Sequence, residues 1–133
     1  MERIVKAKLN SYRQSPRKVR LVADAIRGKS VGAAVTTLTF LTKRASHPLR
    51  KLLDSAVANA KNLSLEVDHL VVKELRVDGG AILYRRLPMS RGRAFSMRKR
   101  TSHVSLVLAE QAQGKKSKVK NEKKEVAISK DKK

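Results

Sequence analysis

The chain has no cysteine and no tryptophan among its 133 residues. The first absence excludes disulfides and thiolate metal sites. The second leaves Tyr12, Phe40, Tyr84 and Phe95 as the large aromatics, so any core is aliphatic. Acid is scarce as well: 11 Asp and Glu stand against 32 Lys and Arg, a net charge of +21. Such an imbalance repels itself in a compact state and is usually kept for a polyanion. Nucleic acid is the first candidate and an anionic membrane surface the second. No apolar run approaches the ~20 residues of a membrane span. The N-terminus alternates charge with apolar residues and has no continuous apolar stretch, so no secretory leader is expected. A soluble intracellular protein of one domain is expected.

Catalytic signals are missing too. Gly28-Lys29-Ser30 looks like the end of a phosphate-binding loop, but Ala23 stands where that motif requires glycine, and a helix precedes it. His47, His69 and His103 stand apart without metal-ligand spacing. No nucleophile sits beside a base. Neither enzymatic activity, nor a metal, nor a cofactor is expected.

What is present reads as an α+β domain. Residues 3–10 alternate, with Val5, Ala7 and Leu9 on one side, which predicts a half-buried strand. Tyr12 to Gln14 are expected to turn the chain. Ser15-Pro16 reads as an N-cap and first helical position, followed by a core face of Val19, Val22, Ala23 and Ile26. Arg17, Arg20, Asp24 and Arg27 make a second, mostly basic stripe, and Gly28 suits the end of the helix. Over 31–42, Ala34, Val35, Leu38 and Leu41 fit a short helix capped by Ser30. The Thr and Val content also fits a strand; helix is favoured. Leu49, Leu52, Leu53, Ala56, Val57, Ala60 and Leu63 predict a long amphipathic helix, capped by Thr42 or Ser46, with Pro48 in its first turn. Residues 69–77 read as a strand, Asp78-Gly79-Gly80 as a turn or bulge, and His103 to Leu108 as a third strand. The expected fold is three helices packed on a small three-stranded antiparallel sheet, with a long protruding β-hairpin.

That hairpin is expected at about 79–102. From Gly79 to Leu108 there is no acid, while Arg85, Arg86, Arg91, Arg93, Arg98, Lys99 and Arg100 are basic. Arms of about ten residues would reach roughly 33 Å, against a radius of gyration of ~13 Å for a body of this size. Leu87, Pro88, Met89, Ser90, Arg91 and Gly92 supply the tip. Arginine dominates here, and its guanidinium forks onto phosphate and stacks on bases. Tyr84 and Phe95 are available for stacking or for packing across the ribbon. The domain is expected over 1–110, and 111–133 as a disordered lysine-rich tail suited to loose electrostatic contact. On these residues alone, a protein that bends DNA through basic β-arms remains an alternative to an RNA binder.

Five ordered segments favour the RNA binder. Ser15–Arg20 (S-P-R-K-V-R), Ala25–Lys29 (A-I-R-G-K), Ser55–Ala60 (S-A-V-A-N-A), Leu70–Glu74 (L-V-V-K-E), and G-R-A at Gly92–Ala94 followed by R-K-R-T-S-H-V at Arg98–Val104 resemble the family of large-subunit ribosomal protein number 22. The resemblance covers about residues 3–109. It implies a structural constituent of the large ribosomal subunit that binds 23S-type rRNA in several domains and assists assembly. It implies a hairpin lining the polypeptide exit tunnel, with neighbouring ribosomal proteins and the nascent chain at the tunnel wall as partners. A monomer within a cytoplasmic, bacterial ribosome is implied rather than a membrane protein. The implied RNA-binding residues are Arg13, Ser15, Arg17, Lys18, Arg20, Arg85, Arg86, Arg91, Arg93, Arg98, Lys99, Arg100, Thr101 and His103. The tunnel tip would be Leu87 to Gly92. The chain departs from the family's usual pattern at Gly79-Gly80-Ala81, where Glu-Gly-Pro is common, and at Pro48, Tyr84, Leu87 and Met89.

Overall fold

The computed structural model describes residues 3–110. The tail expected at 111–133 lies outside them. The elements are β1 (Ile4–Tyr12), α1 (Pro16–Ile26), α2 (Val31–Phe40), α3 (Ser46–Asn62), a short turn of 3-10 helix (Val67–His69), β2 (Leu70–Pro88), a second such turn (Ser90–Gly92) and β3 (Ala94–Glu110). The sheet is antiparallel in the order β1-β3-β2. Three helices cover one face of it, as the hydrophobic spacing requires. Val5, Val72, Leu75, Val77, Val104, Leu106 and Leu108 from the strands meet Val19, Val22, Ile26, Leu38, Leu49 and Leu53 from the helices. The core is aliphatic, and Phe40 is 79% exposed.

Each helix shows why its sequence folds as it does. The buried set of α1 is Val19, Val22, Ala23 and Ile26, one stripe at 3-4 spacing. Ser15 holds the N-cap position, but its side chain makes no capping bond. In α2 the Thr content is reconciled with helix by back-bonding. Thr36, Thr37 and Thr39 donate their hydroxyls to the carbonyls of Gly32, Ala33 and Val35 at 3.0, 2.8 and 2.9 Å. In α3, Pro48 falls in the first turn, where a backbone N–H has no helical partner to lose. Neither Thr42 nor Ser46 caps it: Ala45 is the N-cap, and Ser46 is the first, buried residue. Leu63, expected on the core face, is 59% exposed because the helix has ended at Asn62. Leu65 is buried instead.

The strands run further than their sequence signals. β1 continues through Tyr12, which pairs with Ser102, so the chain turns only after it. Gly79-Gly80 is a bulge and not a reversal. β2 passes through it, slipping register between Gly79↔Ser102 and Ile82↔Arg100. Beyond that slip β2 and β3 leave the body as a two-stranded ribbon, Ile82–Pro88 paired with Ala94–Arg100. At ~3.3 Å per residue this free ribbon spans about 20 Å. It is shorter than the roughly 33 Å of the sequence estimate, because the bulge and the turn take up residues counted as ribbon. Leu87 and Pro88 belong to the paired ribbon, opposite Phe95 and Ala94. The turn itself is Met89 to Arg93, closed by Met89 N donating to the Arg93 carbonyl at 2.8 Å. Arg91 and Gly92 there have φ of 57° and 70°.

Candidate nucleic-acid interface

The ribbon's root and the start of α1 form one cleft. It encloses about 610 Å³ and is lined by Arg13, Gln14, Ser15, Lys18, Arg44, Leu83, Arg85, Arg98, Lys99, Arg100 and Thr101. Three stretches of chain meet here: the turn between β1 and α1, the loop before α3, and both strands of the ribbon. Seven of the lining residues are Arg or Lys and none is an acid. The mutual repulsion of such a group is relieved by an anion. The N-terminal end of α1 opens onto the cleft through Ser15, and the positive end of the helix dipole favours negative charge there, although Pro16 has no N–H and the Lys18 N–H donates to the Ser15 carbonyl at 3.0 Å. With no capping bond of its own, the Ser15 hydroxyl is available there. Tyr12 braces the rim. Its hydroxyl donates to Gln14 Oε1 at 2.7 Å and lies 3.5 Å from the Arg44 carbonyl.

Eight residues named from sequence line this cleft: Arg13, Ser15, Lys18, Arg85, Arg98, Lys99, Arg100 and Thr101. Arg86 lies further along the ribbon. There it shares a second concavity of about 570 Å³ with Tyr84, Arg85, Ala94 and Ser96. Arg91 and Arg93 sit at the far turn, and Arg17 is exposed on α1 outside the cleft.

Four named residues have side-chain bonds within the protein, Arg85 among them through a terminal nitrogen donating to the Tyr84 carbonyl at 2.8 Å. Arg20 donates through Nε and a terminal nitrogen to the Val77 carbonyl at 3.1 and 2.9 Å. Thr101 is buried and donates its hydroxyl to the Ala81 carbonyl at 2.7 Å. His103 accepts the Ser11 N–H at Nδ1, 3.1 Å away. Sequence reasoning did not single out Gln14, Arg44 or Leu83. Arg44 carried a usable signal, the basic pair Lys43-Arg44 with no acid nearer than Asp54, in a segment read only for the start of a helix.

Among the described residues no helix is long and apolar enough to cross a membrane, and no group of three His, Asp or Glu is placed to hold a metal ion. Fold and site define a class: a small α+β body with a cationic cleft and a cationic two-stranded arm, laid out for binding rather than turnover. The model of the family described as "Ribosomal protein L22p/L17e" matches residues 7–109. The chain is 50% identical over 107 residues to "Large ribosomal subunit protein uL22" of Bdellovibrio bacteriovorus, covering 80% of this chain and 97% of that protein. Against the protein of the same name in Mycoplasma capricolum subsp. capricolum, identity is 52% over 107 residues, 80% of this chain and 96% of that one. Against that of Citrifermentans bemidjiense it is 51% over 105 residues, 78% and 95%. The chain belongs to the ribosomal protein L22p/L17e family; it is a structural ribosomal protein and not an enzyme.

Proposed function

We propose that this chain, a structural constituent of the large ribosomal subunit, binds the subunit's rRNA through the cleft and the arm and carries the arm's turn to the wall of the polypeptide exit tunnel. The single observation that carries the RNA reading is the convergence of seven cations and no acid on one cleft, from segments far apart in sequence. Lys18, Arg44, Arg98 and Arg100 would hold phosphates, helped by the positive end of the α1 dipole. The arm has two unlike faces, because alternate residues of a strand point opposite ways. Ile82, Tyr84, Arg86, Pro88, Ala94, Ser96, Arg98 and Arg100 lie on one face, with three arginines; Leu83, Arg85, Leu87, Phe95, Met97 and Lys99 lie on the other, with two cations. The first suits phosphate. The second interleaves apolar and cationic side chains and suits unpaired bases. Met89 to Gly92 would meet the tunnel lumen and the nascent chain, and neighbouring ribosomal proteins would pack around the body. Bacterial relatives indicate the compartment, the ribosome in the cytoplasm.

Binding to a fragment of large-subunit rRNA at several salt concentrations tests the reading. Seven phosphate contacts give a log–log slope of about −5 to −6. Replacing Arg98, Lys99 and Arg100 together with Ala is expected to weaken binding and reduce that slope by about 2–3. An unchanged slope means that these side chains do not neutralise phosphate.

A further inference from the structure

The joint between arm and body has a construction of its own. β1 pairs with β3 in register from Ile4↔Ala109 to Leu9↔Val104, slips, and ends at Tyr12↔Ser102. On the opposite side of β3, β2 slips between Gly79↔Ser102 and Ile82↔Arg100. One irregularity falls opposite His103 and the other opposite Thr101, so the two neighbours of β3 lose register on either side of Ser102, two residues apart. A bulge bends its strand and sharpens the local twist. Two bulges so close together therefore set the direction in which the ribbon departs.

The side chains of Thr101 and His103 tie both irregularities down. His103 Nδ1 accepts the N–H of Ser11, whose φ of 53° marks the irregular stretch of β1. Thr101 Oγ1 donates to the carbonyl of Ala81, inside the bulge of β2. Gly80 lies against both side chains. A Cβ on Gly80 would stand 2.5 Å from Thr101 Oγ1 and 2.9 Å from His103 Nε2. Its backbone does not occupy the left-handed region, so space and not conformation demands glycine there. Gly79, one residue earlier, has nothing within 4 Å of such a Cβ.

We infer that Gly80, Thr101 and His103 form a collar that fixes the angle between arm and body, and that they are positioning residues for the arm. A two-stranded ribbon is marginal by itself and would swing at its root. The collar anchors β3 to both neighbours at the last level where it has two. This concerns the free protein and holds whichever polyanion the arm meets.

The absence of cysteine makes the test direct, because introduced thiols are the only ones to label. Spin labels on Asp54→Cys, on the exposed face of α3, and Ser96→Cys, on the ribbon, report the arm's direction through their distance distribution in the full-length chain. The parent is expected to give one narrow distance. A tilt of about 15° at the root moves Ser96, four residues or about 13 Å along the ribbon from Arg100, by about 3 Å. Gly80→Ala is expected to shift or broaden the distance by that amount, and Gly79→Ala to leave it unchanged. Thr101→Val keeps the side-chain volume and removes the bond to Ala81. It is expected to broaden the distribution with the body still folded by circular dichroism, and it decides the matter should Gly80→Ala not fold. A parent distribution already broad, equal distributions for Gly79→Ala and Gly80→Ala, or a Thr101→Val chain that matches the parent would each overturn the collar.

Discussion

Ser64 stands in the left-handed region, with φ of 56°, immediately after the cap of α3. Its N–H donates to the Lys61 carbonyl at 2.9 Å, and Leu65 donates to Ala60 at 3.1 Å. This is the paired closure usually built on glycine, and it turns Leu65 into the core while Leu63 faces outward. Ser64→Gly removes the left-handed cost of a residue with a Cβ and should raise stability by about 1 kcal/mol. Denaturant unfolding checks it; a lower midpoint would show that the Ser side chain matters more than its backbone. Arginines divide just as sharply. Arg20 of α1 and Arg27 at its C-cap donate to the carbonyls of Val77 and Leu75 on β2, and the Gly28 N–H donates to the Val72 carbonyl. They cover the body's outer strand edge, which would otherwise invite another chain. Nothing within α1 distinguishes Arg20 from Arg17 or Lys18. Their partners lie far along the chain, so the sequence pattern presents one basic stripe where the fold uses two kinds of arginine.

The arm contributes nothing to the core. No buried residue falls between Val77 and Thr101. Excising Leu83–Lys99 and closing the ribbon with a short turn should leave the body folded, its thermal midpoint unchanged or raised. A fall of more than about 4 °C, the equivalent of ~1 kcal/mol at this size, would mean that the arm supports the body. Elements with strong periodicity were legible from sequence. The buried sets of α1 and of α3 up to Ala60 fall on the spacings their apolar residues announce. The helix of α2 was legible in its buried Ala34 and Leu38, and less so in its threonines, whose hydroxyls are satisfied only once the helix exists. The Gly79-Gly80 signal marked a place where the chain changes, but a turn and a bulge share the same residues. Only pairing with β3, and the packing of Thr101 and His103 against Gly80, decides for the bulge.

At the scale of the whole molecule, a charge of +21 rests on a body whose core is aliphatic throughout. Repulsion on that scale is tolerable in a protein completed by a polyanion. The arm was readable from its flanking strands, and the missing acids between Gly79 and Leu108 make it cationic along its length. The cleft was not readable as a cleft, because Arg13 and Lys18, Arg44, and Arg85 with Arg98–Arg100 are brought together only by the order of the sheet and the placement of α1 and α3. We propose that cleft and arm together hold large-subunit RNA. The most direct measurement is a density map of the large subunit that contains this chain. RNA phosphates are expected within hydrogen-bonding distance of Arg98, Arg100 and Lys18, with RNA on both faces of the ribbon and the turn Met89–Arg93 at the tunnel wall. A ribbon lying on the subunit surface in solvent, with the cleft facing away from RNA, would contradict it.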